Sequence, residues 1–245
     1  MTEPWQWALG FLGAFIVGLS KTGIAGLGIL TVAIFATIFP ARESVGIVLV
    51  ILIVADLVAV TVYRREADWK HLIRLFPWAG GGIILGALVF GRLNDEWVRI
   101  MIGGLLVVLT LFQIVRRRKQ TSDEPVEAAA WVAPATGLTA GFTTMIANAA
   151  GPFMIIYLVA MRLPKMAFIG TTAWFFFAVN LFKVPFSYGL GLIDFSSLGL
   201  SLSFAPLAVV GAVSGRWLIR YINQQWFEAI ALFLTLLAGF RLLLM

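Results

Sequence analysis

Apolar runs of about 20 residues, the length a helix needs to cross a bilayer, recur along this chain. Six stretches have that form: Ser44–Tyr63, Leu72–Phe90, Trp97–Val115, Met166–Tyr188, Leu198–Leu218 and Trp226–Leu244. Each predicts one full span. Two further stretches do not. Trp5–Phe39 is too long for one span and short for two, and Ala129–Leu163 has the same length problem, with polar Thr143, Thr144 and Asn148 near its middle. Each predicts two shorter helices around a break, as a re-entrant hairpin or as two crossings.

The two halves carry the same marks in the same order. Gly18-Leu19-Ser20 corresponds to Gly141-Phe142-Thr143 and Gly28 to Gly151; Pro40, Gly46 and Asp56 correspond to Pro164, Gly170 and Asn180. Pro77, Gly82, Gly86, Asn94 and Trp97 match Pro206, Gly211, Gly215, Asn223 and Trp226 without a gap. Such internal repeats build many secondary transporters. The division predicts a first transmembrane repeat at 1–117, a cytoplasmic linker at 118–126 and a second transmembrane repeat at 127–245. Each half has one broken stretch and three full spans, so it crosses an odd number of times and the halves are inverted. The expected fold is an all-α integral membrane protein of two inverted-topology repeats, each a broken or re-entrant helical hairpin plus three transmembrane helices.

Loop charges orient it. Alternating the loops places twelve basic residues, among them Arg64, Arg65, Lys70 and Arg116–Lys119, on one side, and Arg42, Arg92, Arg99, Lys183 and Arg241 on the other. The basic side is cytoplasmic by the positive-inside rule, which puts both termini outside. Trp69, Trp97, Trp131 and Trp226 fall near span ends, where aromatic belts form.

Composition narrows the class. The chain is 61% hydrophobic and 12% charged, against about 45–50% and about 25% for a soluble domain. The net charge of +6 sits in short loops as a topology signal, so no nucleic-acid partner is expected. There is no cysteine, which excludes disulfides and thiolate metal sites. The first apolar run lacks the basic start and small-residue cleavage site of a signal peptide. The localisation this implies is a multi-pass protein of the cell (inner) membrane.

Polar residues inside apolar runs carry the chemistry. Lys21 is the only ionisable residue between Trp5 and Phe39. If Trp5–Leu19 and Gly23–Phe39 both crossed fully, Lys21 would be a cytoplasmic loop charge. Trp5–Leu19 reaches only about 22 Å at 1.5 Å per residue, short of the roughly 30 Å core, which favours a buried tip. Ser20, Lys21, Thr22 and Gly23 would then break the helix there and offer a cation, hydroxyls and backbone N–H groups to an anion. Thr143, Thr144 and Asn148 occupy the matching break. Asp56 is the one carboxylate well inside a full span, and Asn180 is its repeat mate. An intramembrane Asp is a functional candidate: it could carry a proton, ligate sodium, pair with Lys21, or serve packing alone. Lys183 is expected to snorkel toward the outer face, with lining of the outer vestibule as the alternative, His71 to be interfacial, and Asp68 and Asp194 to cap helices. No carboxylate pair, metal cluster or nucleophile triad is visible, so neither an enzyme nor a cofactor is expected.

Gly18-Leu19-Ser20-Lys21-Thr22-Gly23 followed by Pro40-Ala41-Arg42-Glu43-Ser44 resembles the TauE/SafE sulfite exporter family, also called the toluene-sulfonate uptake permease family. The second half strengthens the resemblance with Gly141-Phe142-Thr143-Thr144-Met145-Ile146-Ala147-Asn148-Ala149-Ala150-Gly151-Pro152, Leu163-Pro164-Lys165 and Asn180-Leu181-Phe182-Lys183-Val184-Pro185. It departs in one place: the adjacent glycines of many members are spaced out as Gly23, Gly26 and Gly28. The resemblance implies a transporter of sulfite or small organosulfur anions such as sulfonates and sulfoacetate. The leading expectation is a secondary transporter, coupled to protons or sodium through Asp56, with substrate near the midplane between the repeats. The alternative is an anion channel or passive facilitator on the same scaffold. A homodimer is left open.

Overall fold

The computed structural model describes residues 3–22, 27–118, 131–161, 163–218 and 224–244. They form ten helices, with no strand among the described residues: α1 Pro4–Thr22, α2 Gly28–Ile38, α3 Ala41–Tyr63, α4 Trp69–Phe90, α5 Asp95–Arg118, α6 Val132–Ala147, α7 Gly151–Ala160, α8 Lys165–Gly189, α9 Phe195–Leu218 and α10 Gln224–Leu244. By length and composition α3, α4, α5, α8 and α9 can each cross a membrane. The sixth expected span lies on α10, whose described apolar part is Ala229–Leu244. Both broken stretches are pairs of helices, α1–α2 and α6–α7. Of the expected linker, Arg118 ends α5 and 119–126 lie outside the described residues.

Local chemistry sets several boundaries. Phe39 precedes a proline and is held extended at φ −128°, ψ 156°, the region such a residue favours. Thus α2 stops at Ile38, and α3 starts directly after Pro40. Asp68 Oδ1 accepts from the Lys70 N–H at 3.0 Å to cap α4. Asp194 Oδ1 accepts from the Ser197 N–H at 2.7 Å, and the Asp194 N–H donates to Ser197 Oγ at 2.8 Å, a reciprocal cap for α9. The first break differs from expectation. Ser20 and Thr22 do not open the helix: the Ser20 hydroxyl bonds back to the Val17 carbonyl, and α1 stays helical through Thr22. Lys21 is therefore in the last turn of α1, where the helix dipole favours a cation.

Packing crosses between the halves. Helix α1 lies on α9, and α6 lies on α4. Both seams are closed by glycine, because helices surrounded by apolar lipid gain by close backbone approach. A Cβ at Gly18 would stand 2.0 Å from Ala208 O, and one at Gly211 2.1 Å from Phe15 O. In the other seam, Gly141 would meet Ala79 O at 2.0 Å and Gly82 would meet Leu138 O at 2.1 Å. These residues correspond pairwise at the offsets read from the sequence: Gly18 with Gly141, Gly82 with Gly211. Helices α3 and α8 also touch, as do α5 and α10.

The outer surface is apolar. Leu88, Val108, Val213, Phe233 and Leu237 are all more than half exposed, as suits a surface covered by lipid. Trp69, Trp97 and Trp131 are exposed beside helix ends, where an aromatic belt would sit.

Candidate functional site

The end of α1 faces the interior of α3. Lys21 Nζ lies 2.8 Å from Asp56 Oδ1, with 8% and 0% of the two side chains exposed. Of the options open for Asp56, the structure takes the ion pair, and the Lys21 side chain is buried with it. Asn180 on α8 donates from Nδ2 to the other carboxylate oxygen at 2.7 Å. This donor assignment follows from charge, since an amide oxygen turned toward the carboxylate would be repelled. Asn180 Oδ1 is buried with no hydrogen-bond partner among the described residues. Lys21 Nζ also lies 4.2 Å from the centre of the Phe176 ring, close enough for cation–π attraction.

The second break is built differently. Helix α6 ends on Asn148 in the left-handed conformation, φ 52°, which asparagine tolerates better than most residues. Its N–H returns to Thr144 O at 2.9 Å. Asn148 Nδ2 donates to Val45 O on α3 at 3.0 Å, which turns Oδ1 the other way. Lys183 Nζ donates to that Oδ1 and, at 3.3 Å, to Thr144 Oγ. Lys183 does not snorkel: it is fully buried. It stands one turn from Asn180 on α8, and residues three apart share a helix face. Lys183 thus shares the inward face of Asn180, and its contacts with α6 hold the ammonium inside.

Between the breaks lies a cavity of about 80 Å³, room for a few water-sized groups. Ser20, Lys21, Thr144, Asn148, Asn180 and Phe176 contribute to its wall. Gly28 and Gly151, the first residues of α2 and α7, line it as well. Both helices thus begin at the cavity, and helix N-termini present unpaired N–H groups to anions. Thr22 and Thr143 are not brought to this wall. Thr22 Oγ donates across the α1–α9 seam to Ala212 O at 2.6 Å, and Thr143 Oγ bonds back to Thr139 O at 2.8 Å. Gly23 lies outside the described residues. The buried polar cluster comprises two lysines and one aspartate, which leaves one net positive charge when all three are ionised.

The family description Sulfite exporter TauE/SafE matches residues 9–242 of the chain. The chain belongs to the TauE/SafE family. No curated protein and no solved structure matches it.

Membership makes this a multi-pass membrane protein of a transporter family rather than an enzyme family, in keeping with its apolar helices. In a TauE/SafE protein a cavity with a surplus positive charge beside it, hydroxyl donors and two helix starts can hold a small oxyanion. Phe176 and Lys183 are the wall and backing residues that sequence reasoning left out of the site. Phe176 gave no signal of its own, because one phenylalanine among the four aromatics Trp174–Phe177 looks like packing or lipid contact.

Proposed function

We propose that this TauE/SafE protein is an ion-coupled secondary transporter of the inner membrane. Its substrate is a small sulfur-containing anion of the sulfite, sulfonate or sulfoacetate type. The anion sits near the midplane, in the cavity between two inverted repeats whose termini face outside. Lys21, Ser20, Thr144, Asn148 and the starts of α2 and α7 hold it. The observation that carries this reading is the cavity itself: residues flanking both breaks, Ser20, Lys21 and Gly28 at the first and Asn148 and Gly151 at the second, line one space.

Coupling follows from the ion pair. An anion drawn to Lys21 competes with Asp56 for the same charge. Removing one partner of a buried pair costs about 3–5 kcal/mol, because the other is left uncompensated. A cation that arrives with the substrate removes that cost, either a proton on the Asp56 carboxylate or a sodium ion beside it. The anion and the coupling ion then bind best together.

The test uses purified protein in liposomes loaded with sulfite or methanesulfonate, under an imposed pH or sodium gradient. The wild type should accumulate substrate against its gradient. Asp56→Asn should lose accumulation while keeping part of its substrate exchange. Normal accumulation by Asp56→Asn with unchanged ion dependence would overturn the coupling role. Uptake that never exceeds equilibrium in the wild type would make the protein a passive facilitator.

A further inference from the structure

The Lys21 charge is matched by Asp56. The Lys183 charge is not: its ammonium meets only the neutral oxygens of Thr144 and Asn148, and no carboxylate lies within 4.0 Å among the described residues. Resting on the proposed anion site, we propose that Lys183 is a substrate-positioning residue. It supplies the net positive charge of the cluster, and it turns Thr144 into a donor toward the bound oxyanion.

The second part follows from hydrogen-bond chemistry. An ammonium has donors only, so Thr144 Oγ must accept from Lys183, and its own O–H is left to donate elsewhere. Thr143, the preceding residue, spends its hydroxyl on the Thr139 carbonyl, the usual fate of a helical threonine. Thr144 has no such bond to its own helix among the described residues, and it lines the cavity. Asn148 is held the same way: Val45 O takes one amide proton and Lys183 occupies the amide oxygen. One Asn148 N–H remains. Both side chains are thus held by the same ammonium, with donors to spare beside the cavity.

The first part follows from charge. With Lys21, Asp56 and Lys183 ionised, the site neutralises one monovalent anion. Without Lys183 the remaining pair is neutral, and a stripped oxyanion has no surplus charge to meet. Binding of methanesulfonate to the purified protein, followed by calorimetry, tests this. Lys183→Met should weaken binding by about tenfold to a hundredfold, the size of a lost charge-assisted bond. Lys183→Arg should retain more affinity than Lys183→Met. Adding Asp56→Asn to Lys183→Met restores the surplus charge by freeing Lys21, and should recover a large part of the affinity. A residue that merely ties α6 to α8 would show no such rescue.

Wild-type affinity in Lys183→Met would overturn the proposal. So would a folded, membrane-inserted double variant that binds no better than Lys183→Met. If the wild type binds neither methanesulfonate nor sulfite, it is the sulfur-anion reading that fails.

Discussion

At the end of α1, Lys21 reaches across to Asp56 on α3; at the matching position of the second half, Thr144 on α6 meets Lys183 on α8. The two crossings join corresponding helices through the mates Lys21 and Thr144, yet in the first half the cation is on the broken helix and in the second on the long span, one turn from Asn180. The first is a closed ion pair. The second is a cation with neutral acceptors. Asp56 and Asn180, mates in the repeat, join them by a direct bond at 2.7 Å. Matching stretches of the two halves thus differ in charge: one holds a closed ion pair, the other a cation among neutral acceptors.

The largest effect should come from breaking the charged crossing alone. Lys21→Gln leaves Asp56 buried and unpaired, a change that costs about 3–5 kcal/mol, and Asp56→Asn added to it should recover most of that stability. Thr144→Val, at the corresponding place, removes one bond to a charged donor and should cost only about 1.5–3 kcal/mol. Unfolding in detergent measures both. Equal losses would mean that the two crossings do not differ as described.

The seams sharpen the same comparison. Gly18→Val and Gly141→Val each push a side chain into a facing carbonyl, Ala208 O or Ala79 O. Overpacking of this kind costs about 1–3 kcal/mol, and the two losses should agree closely. One tolerated and one disruptive substitution would show that the seams are not equivalent.

The smallest effect concerns the caps. Hydrogen bonds from Ser197 hold the exposed Asp194 carboxyl below its usual range. A depressed folded value means that the cap's contribution is complete above the unfolded value of about 3.9. It is lost as the pH falls through the lower folded value. Protection of the Ser197 amide in hydrogen exchange should therefore decline on acidification. In Asp194→Asn that pH dependence should vanish while the cap itself persists, since asparagine also caps well. An unchanged pH profile in Asp194→Asn would remove the role assigned to this carboxylate.

Much of this was legible from spacing. The long apolar runs read as spans because a helix of about 20 residues satisfies its own backbone within one segment in lipid. At the second break the sequence marks Thr143, Thr144 and Asn148, but only Asn148 ends a helix; Thr143 and Thr144 stay within α6. The first was placed one turn early: serine and threonine hydroxyls can satisfy their own helix, and composition does not say whether they will. Lys183 was misplaced for a different reason. A lysine one turn beyond a polar residue can extend outward or fold inward, and only the neighbouring helix decides which.

The sequence by itself determined the membrane class, the approximate positions of the helices, and the matching order of the two halves. Those are local properties, set by the length of apolar runs and by residues that end helices. The tertiary structure decided that Lys21 pairs with Asp56, that Thr22 belongs to a seam, and that Lys183 is buried behind Thr144 and Asn148. Each of those facts depends on which helix lies opposite, and residues far apart in the chain become partners only once the helices have packed.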